Sequence, residues 1–412
     1  MASDIALSPA PTYHRPRWVL PIIVFAQFAC TSLWFAGNAV LPDLLPDLLP
    51  DAWLRSASLG EMVSAVQLGF IVGTLVFGLL RLADRVAPAR LFLLCAVAGS
   101  LTNAGLLLPG PTPVVVLGLR FATGLCLAGI YPVGMKIAAD YYERGLGRAL
   151  GYLVGALVLG TALPHLLRLL AADVEWKAVV LATSGLALAG GVLLWALVPN
   201  GPYRRPGARL QLGTAWQVFR ERPFRRAALG YFGHMWELYT FWAFVPMLLV
   251  THARLHPESG PFGPGWAFGL IAAGAPACVA GGYLAQRFGS LRTARAALAV
   301  SGACCLLSPL LLALPRPAFG VAVLVWGMAV VADSPQFSAL VAQRAPATAT
   351  GTALTLVTCL GFALTIVSLQ SFAALQGHAD ARYLFLLLAP GPLLGLLATR
   401  TARPQNADDS RR

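Results

Sequence analysis

The stretch RLADRVAPAR at residues 81–90 returns in altered form as GYLAQRFGSLR at residues 282–292. Aligning the two decides the fold. Asp84 falls on Gln286, an offset of 202. Further along, Gly124 and Pro132 in LRFATGLCLAGIYPVGMK fall on Gly327 and Pro335 in LVWGMAVVADSPQF at an offset of 203, and GRAL at Gly147 falls on GTAL at Gly351 at 204. Three landmarks that keep nearly one spacing through 412 residues mark two homologous halves. Duplicated halves built of apolar spans are the plan of a secondary transporter, with the binding site between them.

Composition agrees. Hydrophobic residues make up 58% and charged residues 11% of the chain, where a soluble domain carries about 25% charge; the mean hydropathy is +0.71. A span needs roughly 20 apolar residues. Apolar runs between Pro, Gly and charge clusters give twelve, centred near Phe28, Gly69, Gly99, Cys126, Ala156, Ala187, Phe241, Ala275, Cys304, Ala329, Gly361 and Leu388. The expected fold is an all-α membrane protein of twelve transmembrane helices in two pseudo-symmetric six-helix bundles. Residues 1–17 form a polar tail, 18–198 the first bundle, 199–226 a basic linker, 227–399 the second bundle and 400–412 a second tail. The long first span, without a small-residue cleavage site, reads as an uncleaved helix.

The net charge of +13 could point to nucleic acid, but its distribution follows topology instead. With the N-terminus inside, about 22 of the 30 Lys and Arg fall in cytoplasmic segments, among them Arg15, Arg17, Arg81, Arg85, Arg90, Arg144 and Arg148. The linker adds Arg204, Arg205, Arg209, Arg220, Arg222, Arg225 and Arg226. The asymmetry puts both termini in the cytosol of a cell whose inner (plasma) membrane holds the chain. The lipid bilayer is then the main partner, nucleic acid is none, and a monomer is expected. All seven cysteines fall inside spans and read as small packing residues.

Enzyme chemistry finds no footing. The only lysines are Lys136 and Lys177, neither in a phosphate-binding loop. GLGRALG at Gly145 has Leu150 where a dinucleotide loop needs its third glycine, and no strand precedes it. The six histidines lie in no metal-ligand spacing and no G-x-S-x-G element occurs. Neither a cofactor nor a metal is expected.

The loop after the second span resembles the signature of the major facilitator superfamily, a Gly and a spaced Asp-Arg followed by Gly and basic residues. Asp84, Arg85 and Arg90 keep its charged part, while Leu80 and Ala87 replace the glycines. In the second half Gly282, Arg287, Gly289 and Arg292 match and Gln286 replaces the acid. LRFATGLCLAG, with Arg120, Thr123 and Gly124, is similar to the family's fourth-span element. GALVLGTALP in the fifth span only loosely resembles the Gly/Pro-rich element of proton-driven exporters. The resemblance implies a central cavity that opens alternately to either side. It also implies a conformational switch in which Asp84 meets a second-half helix start in one state; the plain alternative is a cytoplasmic turn.

A charge at mid-bilayer costs about 2.5–3.5 kcal/mol, so each one needs a reason. Arg120, deep in the fourth span, is either a coupling residue or a buried strut. His234 and Glu237 in GYFGHMWELYTFW are three apart, hence on one helical face, with Tyr231 one turn earlier. A histidine and a carboxylate on a dry face are fit to take up and release a proton, unless they form a settled polar cluster. Asp333 in ADSPQF has Ile130 as its repeat counterpart, so Pro132 and Pro335 would break both helices at one depth. Broken helices at equivalent positions point to a binding site, which Asp333, Ser334 and Gln336 would line; otherwise they close the cytoplasmic end. Asn38 in the first span is expected to face the cavity. Lys136 and Asp140 read as a cytoplasmic boundary.

These features add up to a secondary transporter working by alternating access. It would couple a small solute, organic or inorganic anions being favoured by Arg120 and Lys136, to protons or another ion. A proton/drug antiporter is the alternative within the class, and a transport-inactive membrane receptor of the same fold the alternative outside it.

Overall fold

The computed structural model describes residues 16–48, 52–142, 146–170, 175–204, 212–263, 265–346 and 350–400. Most of both tails, and Arg15, Arg144, Gly145, Arg205 and Arg209, lie outside the described residues. Among the described residues there is no strand. That follows from the solvent: in hydrocarbon every backbone N–H and C=O must be satisfied within its own segment, and a helix does so.

The first bundle consists of α1 (Val19–Leu41), α2 (Leu59–Leu80), α3 (Pro88–Leu107), α4 (Pro113–Ala139), α5 (Arg148–Leu170) and α6 (Lys177–Leu197). The second consists of α7 (Arg222–Leu255), α8 (Gly265–Phe288), α9 (Ser290–Leu312), α10 (Arg316–Arg344), α11 (Thr350–Leu375) and the shorter α12 (Leu384–Ala398). Each of the twelve expected centres falls in its own helix. In α12 a 3-10 stretch over Leu384–Leu388 gives way to α-helix at Pro390, because proline has no N–H for the preceding turn. The ends of the described chain lie on one side, called here the terminal face; the other side is the far face.

Lipid tails are as apolar as leucine, so helices in a membrane associate through close packing at small residues. The duplication shows here in atomic detail. A Cβ on Gly124 of α4 would stand 1.9 Å from the Val66 carbonyl oxygen of α2, and one on Gly327 of α10 would stand 2.3 Å from the Leu270 carbonyl oxygen of α8. The two repeat-mates bring the same pair of helices together in each half. Gly124→Ala and Gly327→Ala are each expected to destabilise the purified protein by about 1–3 kcal/mol through overpacking. Thermal unfolding in detergent checks this against Gly282→Ala, whose Cβ would meet nothing within 4 Å.

Both halves also break a helix at the position the alignment marks. The α4 helix is interrupted at Gly129–Ile130 before Pro132, and α10 at Asp333 before Pro335. Proline cannot donate to the carbonyl four residues back, so Val331 loses that helical partner; its oxygen receives the Asp333 N–H and, at 3.4 Å, the Cys278 thiol. All seven cysteines are free thiols.

Candidate functional site

A cavity of about 370 Å³ lies between the bundles in the half of the molecule nearest the terminal face. Its wall is shared by α2, α4 and α5 from one half and α7, α10 and α11 from the other. Tyr131, Tyr231, Tyr239 and Phe362 supply aromatic surface, Thr74, Ser334, Ser338, Thr355 and Thr358 supply hydroxyls, and Lys136 supplies a cation.

Towards the far face the cavity ends at an aromatic plug. Trp34 packs on Phe70, Tyr239 and Phe362 at centroid distances of 5.1, 5.5 and 5.6 Å, so side chains of both halves meet across the midline. Beyond the plug Gln370 Nε2 donates to Ser64 Oγ at 2.9 Å, joining α11 to α2. The far side is sealed, while lining residues near the terminal face, such as Ser338 and Thr355, are half-buried. This is the arrangement with access from the terminal face.

The α10 break puts Asp333 directly behind the cavity wall, between the lining residues Val331 and Ser334. Its Oδ1 lies 2.8 Å from His234 Nδ1 of α7, and both side chains are 1% exposed. The contact is at ion-pair distance, and His234 Nε2, on the other side of the ring, has no hydrogen-bond partner among the described residues. A buried polar pair left incomplete is uncommon in a folded protein and calls for a functional reason.

The carboxylate partner of His234 is therefore Asp333, where the helical spacing had pointed to Glu237. Glu237 is held instead by α9 and α10: Ser301 Oγ donates to Oε2 at 2.9 Å, and Cys305 Sγ and Trp326 Nε1 donate to Oε1 at 3.2 and 2.7 Å. Tyr231 does line the cavity, with its ring centroid 6.1 Å from that of His234. Ser334 also lines it, whereas Asp333 sits one layer back and Gln336 turns its amide towards Gly281 of α8.

Arg120 is fully buried and points away from the cavity, into the first bundle. Its guanidinium donates to the Leu33 carbonyl at 3.1 Å, to the Trp34 carbonyl and to Asn103 Oδ1 at 3.5 Å. Those carbonyls lie just after the interruption of α1 at Ser32, so Arg120 ties α4 to the restart of α1. Asn103 continues the network to Thr183 and Ser184 of α6 at 3.2 and 2.9 Å. Asn38 is 8% exposed and is not part of the cavity wall.

Asp84 lies at the terminal face, where its carboxylate accepts from Lys136 Nζ at 2.8 Å and Arg81 Nε at 3.4 Å. Arg81 is the one non-glycine residue with positive φ among the described residues, at 53°, and it turns the chain out of α2. Arg85 and Arg90 are exposed. In the second copy Gly289 has φ 86°, a conformation glycine adopts without strain, and Gly282 is buried in α8 with room for a Cβ. Lys136 is thus both a cavity residue and a partner of Asp84. Sequence reasoning counted its charge towards an anionic solute while reading its position as a boundary, and it passed over Tyr131 and Tyr239. The available signal was a tyrosine tip inside a span, which needs a polar or wet neighbour.

A membrane-spanning chain of paired helical bundles around a cavity sealed at one end has the build of a transporter. The chain belongs to the Major Facilitator Superfamily, whose model matches residues 23–369. No curated protein matches it. The fold is similar to that of the human organic anion transporter MFSD10 (TETRAN), at 16% identity and a TM-score of 0.71 over 94% of this chain and 100% of that one. It is similar to a mutant of the nucleoside transporter NupG, at 16% identity and a TM-score of 0.67 over 92% of this chain and 98% of the other. The proton:xylose symporter XylE bound to 6-bromo-6-deoxy-D-glucose gives 13% identity and a TM-score of 0.70 over 92% and 94% of the two chains. At these identities the likeness is one of fold.

Proposed function

We propose that this chain is a proton-coupled secondary transporter for a small organic anion, with the terminal face in the cytosol of an inner-membrane monomer. The observation that carries the reading is the buried His234–Asp333 pair set immediately behind the wall of a cavity that contains Lys136. A proton taken up or lost by the pair changes the charge at the α10 break, and α10 lines the cavity. Lys136, an ammonium in the cavity wall, supplies electrostatic attraction for an anion. Asp84, at the terminal face, is read as the switch residue that engages the second half once the cavity closes on that side. Glu237, held by its donors inside the second bundle, and Arg120, bound to the α1 break, support the two halves.

The deciding experiment is uptake into proteoliposomes under an imposed pH gradient, with carboxylates, inorganic anions and cationic dyes as solutes. Saturable, gradient-driven movement of an organic anion is expected. Lys136→Gln should raise its KM about 10-fold or more, the worth of a charge-assisted hydrogen bond. Gradient-driven movement of cationic dyes alone would favour the drug antiporter, a reading the aromatic lining of Tyr131, Tyr231, Tyr239 and Phe362 supports through cation–π attraction. No movement of any solute would leave the receptor.

A further inference from the structure

The second copy of the basic loop lost its acid, and the consequence is visible on the terminal face. Between residues 227 and 399 the carboxylates are Glu237, Glu258, Asp333 and Asp380. Glu237 and Asp333 are buried within the bundle, and Glu258 and Asp380 follow the far-face ends of α7 and α11. None of these four acids makes an ion pair with an arginine of this half's terminal face among the described residues. Arg295 bonds the Leu396 carbonyl and Thr399 Oγ1, both at 3.1 Å, and Arg344 bonds the Pro223 carbonyl at 3.3 Å. Arg287 and Arg292 have neither an ion pair nor a hydrogen bond among the described residues, and both are exposed.

These two arginines stand at the mouth of a groove. Between α8, α9 and α10, on the outer surface of the second bundle, lies a depression of about 600 Å³ with Arg292 in its wall. Arg287 stacks over the ring of Phe288, another wall residue, at 5.3 Å. The floor is made of small residues such as Ala280 and Gly281, with Leu284, Val300 and Met328 rising at the sides, 48%, 42% and 38% exposed. The groove is distinct from the central cavity, with which it shares no wall residue. Its apolar length faces hydrocarbon and its charged end faces the headgroup level.

We propose that this groove is a binding site for an anionic phospholipid of the terminal-face leaflet. One acyl chain would lie along Ala280, Leu284, Val300 and Met328, and the phosphate would sit between the Arg287 and Arg292 guanidiniums. Charge complementarity selects the occupant. Two guanidiniums at a membrane surface, without an ion pair among the described residues, attract anionic headgroups, each contributing independently, and a guanidinium can hold a phosphate through two parallel hydrogen bonds. A zwitterionic lipid offers the same chain without the net charge.

Native mass spectrometry of the purified full chain, titrated with phosphatidylglycerol or phosphatidylcholine of matched chains, tests the site. The parent should retain phosphatidylglycerol about 10-fold or more over phosphatidylcholine. Arg287→Gln/Arg292→Gln should abolish that preference, while Arg225→Gln/Arg226→Gln, in the first turns of α7, should keep it. Ala280→Phe, which fills the floor from an exposed position, should reduce retention of both lipids. Equal retention of the two lipids by the parent, a preference surviving in the Arg287/Arg292 variant, or unchanged retention in Ala280→Phe would each overturn the proposal.

Discussion

Asp333→Asn is expected to leave a protein that still exchanges solute across the membrane but no longer concentrates it against a gradient. If one proton moves with each solute, a pH difference of one unit supports at most about tenfold accumulation, since each 1.4 kcal/mol is a factor of ten. An asparagine cannot alternate between charged and neutral forms, so the variant should equilibrate its solute at about onefold. The substitution keeps size and hydrogen-bonding capacity beside His234 and does not leave an unpaired buried charge, the usual cause of unfolding at such a site. Accumulation and counterflow exchange, measured on the same proteoliposomes, separate the outcomes. Full accumulation by the variant removes Asp333 from the coupling step; loss of both activities in a folded protein makes it part of solute binding.

The second large effect is expected from Arg120→Ala, and it is an effect on the fold. The substitution removes the donors for the Leu33 and Trp34 carbonyls and for Asn103 Oδ1, and it opens a cavity where a fully buried arginine stood. Hydrogen bonds from a charged donor contribute about 1.5–3 kcal/mol each, and breaking a buried charged network costs about 3–5 kcal/mol in all. Loss of that much stability should appear as a large fall in the unfolding temperature in detergent and as poor recovery from the membrane. Arg120→Lys is expected to fall between, because an ammonium cannot span the α1 carbonyls and Asn103 in the fork a guanidinium makes. A variant of normal stability that has lost transport would return Arg120 to the coupling step.

The sequence reading succeeded where a residue acts through its own helix or its repeat-mate. Gly124 and Gly327 were paired by spacing alone, and each proves to be the close-contact point of α4 on α2 or of α10 on α8. Pro132 and Pro335 announced helix breaks because a missing N–H is a local fact. The reading went astray where a side chain reaches another helix. His234 and Glu237 do share a face of α7, but that face meets α10 for one residue and both α9 and α10 for the other. Lys136 was read as a boundary residue, although its charge was counted towards the solute, because depth in a span is counted from its ends, whereas the cavity reaches down to the terminal end of α4.

What the chain determined unaided was the membrane environment, the twelve helices, the duplication and the positions at which helices break or come close. All of these follow from composition, from periodicity and from the absence of a backbone donor or a Cβ, which belong to a residue whatever surrounds it. Tertiary structure alone decided that Asp333 belongs to His234, that Arg120 serves α1 and that Lys136 pairs with Asp84. A helical period says which residues share a face. Which neighbour that face meets depends on how the helices pack and cross, and that is set by all of them together.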